Sequence, residues 1–494
     1  MTSSLIRGRR RRGKGQIAAR LAQGVLGGGI AVLWLCLVLP RMTPGADGAA
    51  GAAAQEEGGT YTADLVLPLV AAVVVIALAA YGYVRRNRRA ATRTAPGGTG
   101  AVAAVGAPLT DLDARACAAL VEADDWVRAS RAELGFAAAG ADPADLEPFE
   151  RAVRAAGTEL RAAFAIRQRY DGGVPEDQAA RRQALAGIVG RCTEAGRRLD
   201  AEAAGLARLR GLDRAPDAAL AVAEGRFREL AGRTTGLEEI LGGLRERYAH
   251  AASASVTGYP ELAKDRLVFA TMRLNEARQC ADRGEPDQAA GHLRAAEGAI
   301  AEADVLVTGV ERLADALAEA QRLVPATLTG AEAEVAGARE RVAQGVTGVP
   351  VGELRARIRQ ADTVLGTVRE ELTGGRAGDP LDLLRRIARV VLPVADGRAG
   401  VVPAAALLVA RYSAAVADGF VATHRGAVRA EARTRLAEAR RLLAPGPETD
   451  LLAADELARQ ARHLAEQDVR VHGTPYAAAA GPGTGFGGPR TAAP

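Results

Sequence analysis

Cysteine, histidine and carboxylate are the side chains here that could carry covalent, metal or proton-transfer chemistry, and their spacing works against all three. The four cysteines, Cys36, Cys117, Cys192 and Cys280, are far apart, with no Cys-x-x-Cys pair for zinc or dithiol redox work. Cys36 falls in an apolar segment, and the other three read as small, partly buried residues of reduced cytosolic helices. Among the five histidines, His250, His292, His424, His463 and His472, no two show the i, i+4 spacing of a helical metal site. Carboxylates are paired at Asp124-Asp125, Glu238-Glu239 and Glu370-Glu371. Adjacent helical positions diverge by about 100°, so the members of a pair cannot share a proton as a catalytic dyad does, and all three pairs are expected on solvated faces. There is no Gly-x-x-x-x-Gly-Lys-Ser/Thr loop, and the only lysines are Lys14 and Lys264. The glycine-rich run from Gly481 to Gly488 follows no strand and opens no helix; residues 473–494 are expected to be a disordered tail. No catalytic residue, metal site or cofactor follows from these patterns, and the expectation is a protein without catalytic activity of its own.

What the chain does specify is where it sits. Apolar segments run over residues 21–40 and 65–84, each near the ~20 residues a helix needs to cross ~30 Å of hydrocarbon. Arg9, Arg10, Arg11, Arg12 and Lys14 precede the first, and Arg85, Arg86, Arg88 and Arg89 follow the second, whereas the loop over residues 41–64 has Arg41 against Asp47, Glu56, Glu57 and Asp64. Positive flanks stay inside, so the reading is a two-helix hairpin in a bacterial cell membrane, with residues 1–20 and everything beyond residue 84 cytoplasmic. The first segment also has the outline of a signal peptide, with small residues at Ala52 to Gln55, and its cleavage would leave a single-pass protein. Gly24 and Gly28 form a Gly-x-x-x-Gly pattern that allows close helix approach, compatible with a homo-oligomer.

Charge divides the chain at the same place. Residues 1–100 hold 13 basic and 4 acidic side chains, a surplus of +9 against +5 for the whole chain, which leaves −4 for residues 101–494. The basic character is therefore a property of the membrane flanks, suited to anionic lipid headgroups. With no basic stripe interleaved with aromatics further on, no nucleic-acid partner is expected.

Residues 85–110 form a basic flank and a Gly/Ala/Pro/Thr-rich tether. From residue 111 to 472 the composition is helical throughout, rich in Ala, Leu, Arg and Glu. Gly- and Pro-containing breaks fall at Gly140 to Pro143, Asp171 to Pro175, Gly258 to Pro260, Gly284 to Pro286, Gly348 to Pro350, Gly374 to Pro380, Pro393 to Pro403 and Pro445 to Pro447. About ten to twelve helices result, with connections short enough to make neighbours antiparallel. Between residues 267 and 282, Leu267, Met272, Leu274 and Ala277 are expected on the core side, and Arg266, Arg273, Arg278 and Asp282 on the polar side. With 3% aromatics, cores must rest on Leu, Val and Ala. The expected fold class is all-α: the membrane hairpin, then an elongated array of antiparallel helical hairpins with thin cores and coiled-coil-like packing. An echo of Arg273 to Arg278 (RLNEAR) in Arg435 to Arg440 (RLAEAR) points to repeated hairpins.

The segment from Phe420 to Val428 (FVATHRGAV), running on into Glu431 to Leu443 (EARTRLAEARRLL), resembles the cytoplasmic helical region of large membrane proteins from high-GC bacteria that carry an extracytoplasmic TPM domain. Leu112 to Phe136 and Cys192 to Glu202 are similar to other parts of that region. In that family the TPM domain, linked with phosphatase-like activity or membrane-protein maintenance, lies between the signal sequence and a membrane helix. Here about two dozen residues separate the apolar segments, too few for a domain with a core. The resemblance thus implies an anchor and a cytoplasmic array without the domain to which chemistry is attributed, and none of that domain's acidic metal-site residues carry over. Phe420, His424 and Arg425 mark the candidate interaction segment.

The function expected from the sequence is a membrane-anchored cytoplasmic scaffold or interaction protein of the bacterial envelope, engaging lipid and a protein partner at the inner membrane surface. An accessory or degenerate member of a TPM-type hydrolase system is the first alternative and a transmembrane sensor the second.

Overall fold

Aspartate or proline begins several helices of this chain, and glycine ends several of them. Asp142, Asp177, Asp379 and Asp450 each accept a hydrogen bond from a first-turn backbone N–H of the helix that follows, at 2.9–3.2 Å, which satisfies donors that have no partner within the helix. Pro143, Pro286 and Pro380 open their helices, at the position where a missing N–H costs nothing.

The computed structural model describes residues 108–473, apart from 213, 215, 346–349, 376–377, 398–399 and 448, together with residues 485–488. Among the described residues there are helices and no strands. They are α1 Leu109–Ala137, α2 Pro143–Asp171, α3 Gln178–Leu209, α4 Asp217–Thr235, α5 Leu237–Arg247, α6 His250–Ser253, α7 Tyr259–Asp282, α8 Pro286–Gln344, α9 Val351–Thr373, α10 Pro380–Val391, α11 Val401–Thr423, α12 Ala430–Leu443 and α13 Leu451–His472. The breaks read from Gly and Pro fall between helices, with Pro403 in the first turn of α11. Breaks the sequence reading did not mark lie between α3 and α4, at Gly236, around the short α6 and between α11 and α12. The membrane hairpin, with its flanking Arg9, Arg10, Arg11, Arg12, Lys14, Arg85, Arg86, Arg88 and Arg89, lies outside the described residues.

The spine is α8, whose 59 residues extend about 90 Å at 1.5 Å per residue. It ends at Gly345, in the left-handed conformation at φ 71° that a residue with a Cβ adopts reluctantly. Buried positions of α8, including Leu293, Ala296, Ile300, Ala303, Leu306, Val307, Val310, Leu313, Leu317 and Ala320, recur at helical spacing over a wide stripe, so α4, α5, α7, α9, α10 and α11 all pack against this helix. One hydrophobic core consequently runs from Phe136 to Val409, where hairpins with thin cores were expected. A second core joins α1, α2 and α3, and smaller clusters seal α11 against α12 and α13. The Arg-Leu-x-Glu-Ala-Arg echoes lie on α7 and α12, the first arms of the α7–α8 and α12–α13 pairs.

Two side chains of α7 reverse the sequence reading. Leu267, Leu274 and Ala277 are buried, but Met272 is 52% exposed and Arg266 only 7% exposed. Met272 follows Leu267 by five residues, about 140° around the helix axis, which takes it off the stripe. Arg266 lies beside the stripe and is neutralised by Glu302 of α8, with Nε donating to Oε2 at 2.8 Å.

Helix α11 is long and apolar enough to cross a membrane by length and composition, the sole such helix among the described residues. One face of it, from Val402 to Val421, is buried against α8, α10, α12 and α13.

Caps make a direct test of this architecture. Asp379 bonds two backbone amides, those of Leu381 and Asp382, so Asp379→Ala should cost about 1 kcal/mol, read as a lower thermal midpoint of the full-length protein with the helix content of its folded state unchanged.

Candidate functional site

The side chain that most defies its chemistry is Arg433, in the first turn of α12 and 2% exposed. It lies on the apolar stripe with Ala430 and Leu436, where an uncompensated guanidinium would be prohibitively costly. Every nitrogen is satisfied. Nε donates to the Val428 carbonyl oxygen at 3.2 Å, Nη2 donates to that of Arg425 at 2.6 Å, and Nη1 meets Asp124 at 2.8 Å and Asp125 at 2.7 Å.

This overturns the solvated-face reading of Asp124-Asp125. Adjacent carboxylates of a helix cannot share a proton, but a guanidinium arriving from another helix reaches both. Glu238, bound to Lys264, and Glu371, bound to Arg386, do lie on exposed faces.

From Arg433 the ion pairs run as a chain from α12 to α1, on to α11 and back to α12. Asp124 accepts from Arg128 of the same helix at 2.9 Å, Arg128 reaches Asp418 of α11 at 2.7 Å, and Asp418 meets Arg440 of α12 at 2.5 Å. Arg433 and Arg440, seven residues apart, present one face of α12, so α1, α11 and α12 are tied in a ring. Burial by itself would raise the Asp124 carboxyl, but Arg128 and Arg433 outweigh it and hold the group below its ordinary value. Asp125, closer to the surface and paired with Arg433, is raised by burial, which outweighs the attraction of Arg433 and Arg425.

A second node lies further along α1. Arg210, immediately after α3, pairs with Glu133 of α1 at 2.7 Å and with Glu297 of α8, all three side chains being at most 4% exposed. Arg294 of α8 also reaches Glu133, at 3.3 Å. Glu297 Oε2 has no hydrogen-bond partner, and burial pushes this carboxyl up to about 7. Between the two nodes lies a cleft of about 270 Å³, walled by α1, α8 and α11, whose charged lining includes Arg128, Glu133, Arg294, Glu302, Asp418 and Arg425. The charges there face opposite charges on neighbouring helices, an arrangement that fixes helices in place more than it activates a nucleophile.

Phe420 and His424 pack together at the end of α11, whereas Arg425 turns elsewhere. The His424 ring stacks on Phe420 at 4.1 Å between centroids, its Nδ1–H donates to the Phe420 carbonyl oxygen at 3.1 Å, and the Arg462 guanidinium carbon lies 3.8 Å from the Phe420 ring centroid. Burial lowers the His424 imidazole below its ordinary value, so it is neutral near pH 7. Arg425 points instead to Glu302, 3.6 Å away.

Cys192 and Cys280 are buried and Cys117 half-buried, all as free thiols, and burial pushes Cys192 up to about 12, far from thiolate reactivity. Among the described residues no group of three or more His, Cys, Asp or Glu side chains is placed to hold a metal ion.

Arg433, Glu133, Arg210 and Glu297 were absent from the sequence-derived sites, because a partner hundreds of residues away leaves no local pattern. The available signal was a charge on an apolar stripe: Glu297 between Leu293, Ala296 and Ile300, and Arg433 between Ala430 and Leu436. The three segments that carry the family resemblance meet here, since Leu112 to Phe136 lies on α1, Phe420 to Leu443 spans α11 to α12, and Cys192 to Glu202 lies on α3, packed on α1.

No family model matches the chain, and no solved structure matches it. It is 30% identical over 405 residues to UPF0603 protein Rv2345 and to UPF0603 protein MT2410, from two strains of Mycobacterium tuberculosis. The match takes in 77% of this chain, and the chain spans 61% of the length of these relatives.

Proposed function

We propose that the protein is a membrane-anchored helical scaffold of the bacterial cell envelope, held by the arginine-flanked apolar segments with its helical region on the cytoplasmic side. The observation that carries this reading is the chain of ion pairs through Arg433, Asp124, Arg128, Asp418 and Arg440. Charges facing one another across α1, α11 and α12, buried at Arg433 and Asp124 and reaching the surface at Arg440, make a rigid body suited to presenting helix faces. Anionic headgroups would engage the basic flanks, and a protein partner, or a second copy, the helical region. The elongated, coiled-coil-like array read from the sequence is the form in which those faces would be offered.

The test is cross-linking in intact cells, capture of the full-length protein by a C-terminal tag, and identification of stoichiometric partners. An envelope protein recovered with the wild-type bait, and lost when exposed residues of one helix face are reversed in charge, is the expected result. Recovery of an isolated bait after efficient cross-linking would overturn the scaffold reading.

A second reading, an accessory member of a TPM-type hydrolase system, draws support from two of the resembling segments, Leu112 to Phe136 and Phe420 to Leu443, meeting through these ion pairs, with the third, Cys192 to Glu202, on the neighbouring α3. It expects a TPM-bearing protein in the captured set and no phosphatase activity in the purified chain; metal-dependent hydrolysis by that chain would contradict it.

A further inference from the structure

Residues 485–488 depart from the disordered tail expected over residues 473–494. Gly485-Phe486-Gly487-Gly488 lies in a groove between α1 and α3, with the Phe486 ring 6% exposed among the apolar side chains of α1, α2 and α3. Phe149 meets that ring edge-on, with centroids 6.2 Å apart and planes at 85°.

Three successive backbone amides are read by three acceptors. Phe486 N–H donates to Glu133 Oε2 at 2.5 Å, Gly487 N–H to Ser130 Oγ at 3.2 Å, and Gly488 N–H to Asp200 Oδ1 at 2.6 Å. Ser130 and Glu133 are themselves buried, at 0% and 4% exposure.

Each glycine has its own physical requirement. A Cβ at Gly485 would lie 2.7 Å from Arg294 Nε and 2.9 Å from Glu133 Oε2. Gly487 has φ 139°, a conformation that strains any residue with a Cβ. A Cβ at Gly488 would lie 2.6 Å from Gly196 Cα on α3, a backbone atom that cannot swing aside. The groove therefore selects glycine, aromatic, glycine, glycine by shape and takes up its backbone by hydrogen bonds, the division of labour found in peptide-recognition sites.

We propose that the groove between α1 and α3 is a peptide-recognition site for a Gly-Phe-Gly-Gly segment, occupied in this chain by its own residues 485–488. The tail then acts as an intramolecular ligand that any segment of the same chemistry must displace. Joined to the helical region through only the eleven residues 474–484, it holds the site at an effective concentration in the millimolar range, on the order of that for short flexible linkers.

The test uses the full-length protein and a fluorescent peptide with the sequence of residues 481–492. The chain carrying Gly488→Ala should bind the peptide saturably, one to one, and at least about ten-fold more tightly than the wild-type chain, whose groove is filled. Peptides carrying Phe486→Ala or Gly488→Ala should bind that chain at least about ten-fold more weakly, from the lost ring burial or the steric clash. Equal binding to wild-type and variant chains, or none to a variant that keeps its helix content, would overturn the proposal. Amide hydrogen exchange on the wild-type chain decides the matter should the variant not fold. Phe486, Gly487 and Gly488 should exchange at least about 100-fold more slowly than in the free peptide, as for amides that exchange only on opening; exchange at the free-peptide rate overturns it.

Discussion

Replacing Arg433 by methionine is expected to destabilise the helical body by about 3–5 kcal/mol, among the largest effects available to one substitution here. The methionine fills much the same volume, so the cost comes from the carboxylates left behind. Asp125 would lose its ion-pair partner and Asp124 one of its two, while the carbonyl oxygens of Val428 and Arg425 would lose a donor. Urea titration of the full-length protein, followed by circular dichroism, measures this. Adding Asp124→Asn and Asp125→Asn should recover most of the loss, because neutral amides remove the uncompensated charge and leave Arg128 its contact with Asp418. A triple variant no more stable than Arg433→Met alone would show that the node acts through something other than charge compensation.

The second large effect is expected at Arg210 and depends on pH. Arg210→Met removes the guanidinium that contacts both Glu133 and Glu297. At pH 8 the cost should again be about 3–5 kcal/mol, and it should shrink towards pH 5, where Glu297 escapes the penalty by binding a proton.

The wild-type protein carries the same dependence in weaker form. Burial holds the Glu297 carboxyl at about 7, against 4.5 for the exposed group, so between those values the folded state binds more protons than the unfolded state. The stability from this group is complete below about pH 4.5 and is lost as pH rises through about 7, by on the order of 3 kcal/mol at most. Asp124 acts in the opposite sense: its folded value is depressed, so its contribution is present above its unfolded value near 3.8 and fades as pH falls through the lowered one. Glu297→Gln should flatten the limb between pH 4.5 and 7 and leave the acid limb in place, measured as unfolding midpoints across pH. An unchanged profile would mean that Glu297 stays ionised in the folded protein.

The sequence by itself determined what is local. Helix composition, capping aspartates, opening prolines and terminating glycines act within a turn or two, which is why the breaks from Gly140 to Pro447 fall between helices. The absence of strands among the described residues and the reliance of the cores on Leu, Val and Ala were legible for the same reason. Tertiary structure alone decided which charges are buried and which segments meet. Arg433 and Asp124 are 309 residues apart, and although the stripe through Ala430 and Leu436 marks Arg433 as a charge on an apolar face, nothing in the sequence of α12 says that α1 arrives with the carboxylates that neutralise it. Met272 and Arg266 exchanged their expected environments because a stripe is set by angle around the helix and by the neighbour that arrives, here α8 with Glu302. The tail shows the same limit most plainly. Gly-Phe-Gly-Gly has little structure of its own, and only the acceptors Ser130, Glu133 and Asp200, placed by α1 and α3, give its backbone somewhere to bind.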